Sequence, residues 1–111
     1  MLKELIFYQT ERGAVPFQKW LSSLKDLKGV TKIKTRLNRL ALGNYGDCKN
    51  LKNGVKELRI DYGPGYRVYF AELNRKTTIL LIIGGTKRTQ DKDIKKAVEY
   101  WQLFKTRFEN E

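Results

Sequence analysis

The 111-residue sequence contains no histidine. Catalysis that pairs a serine or cysteine with an imidazole is therefore excluded, as are histidine-ligated zinc sites. Proton transfer would have to fall to Lys, Arg, Tyr, Asp or Glu. Cys48 is the only cysteine, so no disulfide can form within the chain, which fits a reducing cytoplasm. Prolines number 2 and glycines 9, too few for a collagen-like or low-complexity chain. No apolar run reaches the roughly 18 residues that a membrane helix needs. The apolar stretch within MLKELIFYQTERG is too short for a secretory signal. A cytoplasmic protein without membrane contact is expected.

Acidic residues are scarce as well. Twelve Asp and Glu face 23 Lys and Arg, a net charge of +11 and a pI near 9.9. Self-repulsion of that size destabilises a compact chain, so it points to an anionic partner. Nucleic acid, an anionic membrane and an acidic protein are the candidates, with nucleic acid in front. The chain is otherwise ordinary. Hydrophobic residues make up 41%, and a length of this order suits one domain with one core, covering 1–111.

Residues 2–8 (LKELIFY) read as a short strand. Pro16 suits the first turn of a helix, and Phe17, Trp20, Leu21 and Leu24 follow at helical spacing. Gly29 breaks that pattern. Val30, Ile33, Leu37, Leu40 and Ala41 restart it, with Lys32, Lys34, Arg36 and Arg39 on the opposite face and Gly43 as the stop. The two helices form a hairpin joined near Asp26–Gly29. Residues 43–54, rich in Gly and Asn, read as a loop, either functional or a plain connector. Residues 56–61 and 66–72 alternate around YGPG and form a β-hairpin. TILLII (78–83) is apolar throughout and is expected in mid-sheet, followed by the loop GGTKRTQ. A last helix begins around 89–91, with Asp91 and Asp93 at its N-terminus. The order β-α-α-β-β-β-α gives an α+β domain, with a helical hairpin and a C-terminal helix on a small, mostly antiparallel sheet. Trp20 and Trp101 lie on apolar helix faces and read as core.

The hairpin carries a clue. A loop from Asp61 to Gly65 sets Ile60 opposite Tyr66, Leu58 opposite Val68, and Arg59 opposite Arg67. Like charges directly opposite are destabilising. A phosphate between two guanidinium forks would relieve the strain. Alternatively the arginines splay apart, pair with Glu57 or Asp61, or sit in another register. Lys87 and Arg88 leave the buried strand nearby, and Lys49, Lys52 and Lys56 lie within reach. Tyr62, Tyr66 and Tyr69 could stack on bases, although Tyr66 shares a face with Val68 and fits the core better. Such a cluster could stabilise the pentavalent phosphate of RNA cleavage without metal or cofactor. A lysine crowded by cations could serve as acid or base.

The segment GVKELRIDYGPGYRVYF, followed by LLIIGGTKRTQDKDI and AVEYW, resembles the addiction-module killer proteins. These are a phage-associated, HigB-like branch of the RelE/ParE toxin superfamily. F-x-x-W-L-x-x-L-K-D and the later R-L-x-R-L-x-x-G-N-x-G-D match as well, and the similarity runs from about Leu5 to Trp101. The resemblance implies a RelE-like fold and a type II toxin neutralised by a cognate antitoxin, usually a helix-turn-helix DNA-binding protein. It implies metal-independent cleavage of messenger RNA in the ribosomal A site, with translation inhibited. In catalytic roles it places Arg67, in the GYR triplet, Arg59 or Lys56 on the preceding strand, and Lys87 before the last helix. Arg88, Lys52, Lys49 and Tyr69 are the accompanying candidates for RNA binding. The family's tyrosine or histidine early in the last helix is missing here, where Lys92, Asp93 and Ile94 stand. Asp91, Asp93 or a lysine of depressed pKa are the remaining acid or base candidates. Two other functions share the fold: a ParE-like poison of DNA gyrase without nuclease activity, and a non-catalytic RNA-binding module.

Overall fold

The structure, a computed structural model, describes residues 2–109. The chain runs β1 (Glu4–Phe7), α1 (Pro16–Ser23), α2 (Leu27–Ala41), β2 (Cys48–Asn50), β3 (Lys56–Ile60), β4 (Tyr66–Leu73), β5 (Thr78–Thr86) and α3 (Gln90–Glu109). The five strands form one sheet in the order β1-β5-β4-β3-β2. Only β1 pairs in parallel, with β5; the other neighbours are antiparallel. The fold is α+β. Among the described residues no helix is long and apolar enough to cross a membrane.

Alternation along each strand sends side chains to two faces, and both are covered. On one face Leu58, Ile60, Tyr66, Val68, Phe70, Ile79 and Leu81 meet Phe17 of α1 and Ile33, Leu37 and Leu40 of α2. On the other, Tyr69, Ala71, Leu80, Ile82 and Ile83 meet Ala97 and Trp101 of α3. Coverage on both sides explains the unbroken apolar run of β5. Pro16 opens α1, where its missing N–H costs nothing. Gly43, at φ +86°, turns the chain out of α2 in the left-handed region that glycine adopts freely. Both tryptophans are core-facing as expected. Trp101 is buried and its Nε1 donates to the Asn53 carbonyl at 2.7 Å.

Three local expectations fail, each for a physical reason. Gly29 does not separate the two helices of the hairpin; it lies inside the second. Asp26 caps α2, accepting from the Gly29 N–H at 3.0 Å, and position 29 is a glycine because a Cβ there would stand 2.6 Å from the Tyr66 ring. The 43–54 segment is not only loop: Cys48–Asn50 is an edge strand that satisfies the open side of β3. β5 continues through Gly84, Gly85 and Thr86, so the expected GGT portion of the loop is strand. Its glycines mark close approaches. A Cβ on Gly84 would stand 2.1 Å from the Trp20 ring, and one on Gly85 would stand 1.8 Å from the Asp93 carboxylate, on the opposite face.

Candidate functional site

The β3–β4 register is the one that alternation predicts, with Arg59 directly across from Arg67 and Ile60 across from Tyr66. The row continues to Gly85 on β5. The missing side chain there leaves Arg67 without a bulky cross-strand neighbour. The connecting turn closes through a Gly65 N–H to Tyr62 carbonyl bond of 3.0 Å, with Gly63 and Gly65 at positive φ. The Lys87 N–H donates to the Gly65 carbonyl at 2.8 Å, which fastens the start of the α3 connection to this turn. Arg59, Arg67 and Lys87 thereby line one cleft of about 360 Å³, together with Asp47, Asp61 and the backbone of the Gly63–Gly65 turn.

Arg59 pairs with Glu57, one of the arrangements the sequence left open, whereas Arg67 does not pair with a carboxylate among the described residues. The fully buried Glu57 accepts from Arg59 Nε at 2.9 Å through one oxygen and from Gln90 Nε2 at 2.8 Å through the other. Arg67 is buried too. Its Nη1 donates to the Tyr66 carbonyl at 3.2 Å, and its Nε has no partner among the described residues. Beneath them Arg36 of α2 donates to the carbonyls of Arg59, Tyr45 and Asp47. That anchor was not legible in the sequence, where Arg36 reads as part of a solvated face.

Burial alone would push the Glu57 carboxyl up. The hydrogen bonds from Gln90 and Arg59 outweigh it and hold the group below its ordinary value of 4.5. A depressed carboxyl contributes stability above the unfolded-state value and loses it as pH falls through the folded one. Glu57→Gln should therefore have a lower Tm than wild type near neutral pH. The difference should shrink below about pH 4.5. Thermal melts across that range measure it, and parallel curves would remove Glu57 from the acid limb.

Several expected site residues stand elsewhere. Tyr69 is fully buried under α3 and cannot stack on a base. Burial, reinforced by the Glu57 charge, pushes its hydroxyl up. The face read as outer is therefore partly interior. Tyr66 is core, its hydroxyl donating to Asp26 at 2.9 Å. Lys56 shares the Leu58 face of β3, turned from the cleft, and pairs with Glu72 at 3.6 Å. Lys52 is exposed in the turn at the far end of β3. Lys49, exposed on β2, stands across from Glu57 and flanks the arginine row. Arg88 is exposed beside Lys87. Neither Asp91 nor Asp93 lines the cleft, and Asp93 accepts from Thr89 Oγ1 over Gly85. The carboxylates that do line it are Asp47 and Asp61. Of these Asp47 was invisible to sequence reasoning, because the unrecognised β2 delivers it. Among the described residues no three of Cys, Asp and Glu group as metal ligands would.

The arrangement suits a tetrahedral anion. Two guanidinium groups and an ammonium face it, and two carboxylates at the rim can accept protons. No family model matches the chain, and no solved structure matches it. An uncharacterized protein of Haemophilus influenzae is 52% identical over 86 residues, which cover 78% of this chain and 86% of that protein.

Proposed function

The chain belongs to one family with the uncharacterized Haemophilus influenzae protein, and from the chemistry of the cleft we propose that it is a metal-independent endoribonuclease. In this reading it is the toxin of a type II toxin–antitoxin pair with a RelE-like fold. It acts in the cytoplasm on messenger RNA in the ribosomal A site, and a cognate antitoxin neutralises it. The convergence of Arg59, Arg67 and Lys87 beside Asp47 and Asp61 carries the reading, and the resemblance of the ELRI, GPGYRVYF and GGTKRTQ blocks supports it.

The chemistry follows from the residue types. An Asp at the rim takes the proton of the ribose 2′-hydroxyl, whose oxygen attacks the adjacent phosphorus. Arg59 and Arg67 meet the negative charge that grows on the equatorial oxygens. As the bond from phosphorus to the 5′-oxygen breaks, Lys87 gives that oxygen a proton. A 2′,3′-cyclic phosphate and a free 5′-hydroxyl result.

Inducible expression in bacteria, with primer extension on a translated messenger, tests the reading. Cuts within the reading frame that require translation are the expected result. Growth arrest without cuts, accompanied by gyrase-linked DNA breaks, would replace it with the gyrase-poison reading. RNA bound with steep salt dependence but left whole would replace it with a binding module.

A further inference from the structure

A second groove meets the cleft at Asp61. Thr31, Lys32, Thr35 and Arg39 of α2 form one wall, and Ile60 and Tyr62 the other. It continues past Lys32 and Tyr62 into a depression that reaches Lys28 and Leu27. The two parts measure about 370 and 580 Å³. Residues 28, 32, 35 and 39 recur at i, i+4, i+7 and i+11, so they make one stripe about 16 Å long at 1.5 Å per residue. All four are exposed. Between Asp26 and Asp47 the sequence has no carboxylate, whereas Lys28, Lys32, Lys34, Arg36 and Arg39 fall within that span. Arg36 is committed to carbonyls; Lys28, Lys32 and Arg39 are not seen in any ion pair among the described residues.

Tyr62 lines both parts of the groove and follows Asp61, where the groove meets the cleft. Its ring packs partly on the core, and the Gly65 N–H holds its carbonyl at 3.0 Å. Lys32 Nζ lies over the ring, 5.0 Å from its centre. A fixed aromatic face between cations suits a strand that alternates flat bases with phosphates. An acidic peptide would use the charges and leave the ring without a role.

We propose that this groove binds the single-stranded RNA flanking the phosphate held in the cleft, with Lys28, Lys32 and Arg39 on phosphates and a base stacked on Tyr62 in the place that the Lys32 ammonium leaves. The proposal extends the nuclease reading by naming where the neighbouring nucleotides lie, but the groove can be tested without cleavage.

The purified full chain is titrated with uncleavable 2′-O-methyl oligonucleotides of about three and about eight nucleotides, a span typical of such sites, by fluorescence anisotropy at several salt concentrations. The long probe should bind about tenfold more tightly and with a steeper salt slope. Lys32→Gln with Arg39→Gln should remove that gain and lower the slope by about 1.4, leaving the short probe unaffected. Tyr62→Leu should weaken the long probe with the slope unchanged. All variants are checked by thermal melts, and Lys32 and Arg39 are exposed enough to leave the fold intact. Equal affinity for both probes in the wild type, or wild-type binding of the long probe by the double variant, overturns the proposal. The latter result combined with lost growth arrest would assign the stripe to a protein partner instead. A wild type that gains affinity with length yet cuts no messenger supports the groove and overturns the nuclease reading alone.

Discussion

Arg67→Ala should reduce translation-dependent cleavage by about 100-fold or more while the protein stays folded. Removing one preorganised donor from a developing oxyanion has costs of that order. The fold has less at stake. The side chain makes one backbone bond of 3.2 Å, and its buried Nε goes without a partner among the described residues, so truncation forfeits little internal bonding. Arg67→Lys should fail almost as badly, because an ammonium cannot present a planar fork to two phosphate oxygens. Primer extension measures the first effect, and a thermal melt of the purified variant the second. Parallel loss of cleavage and of Tm would make Arg67 a structural residue and empty the cleft of its central role.

The largest effect on stability is expected in β5. Gly84→Val places a branched side chain where the Trp20 ring already lies, with its first carbon 2.1 Å from that ring. Trp20 packs between Phe17 and Tyr66, with ring centroids 5.8 and 6.2 Å away, so it cannot withdraw without disturbing α1. Overpacking of this kind costs about 3 kcal/mol, which at this size lowers Tm by roughly 10–20 °C. Combining it with Trp20→Ala should cost less than the sum of the two changes, because the second vacates the space that the first needs. Additive losses in denaturant melts would mean that the strand, and not the ring, resists the substitution.

What the sequence disclosed, and what it hid, divides by range. The arginine pair and its register were legible because alternation in KELRI and YRVYF, with YGPG between them, allows one pairing that keeps both apolar sets inside. The displacement of Lys56 was legible in principle too, since it alternates in step with Leu58 and Ile60. β2 was hidden: CKN has no pattern of its own and is a strand only because β3 offers it an edge. The burial of Tyr69 and Glu57 depends on α3 returning across the sheet from more than twenty residues further on, and no local pattern announces that. Gly84 imitates a loop for the same reason, since the Trp20 ring that requires it comes from α1.

The parallel pairing of β1 with β5 has a consequence for how the molecule comes into being. Glu4 registers with Thr78 and Phe7 with Leu81, so the first of the five described strands must wait for the fifth before it has a strand to pair with. Contacts so distant in sequence close slowly, because the intervening chain must be ordered first. The β3–β4 hairpin, built on neighbouring residues, can form well before then. During synthesis the arginine row would thus exist ahead of the strand that brings Lys87 to it, and the cleft would remain open on that side until β5 had been made and had paired with β4.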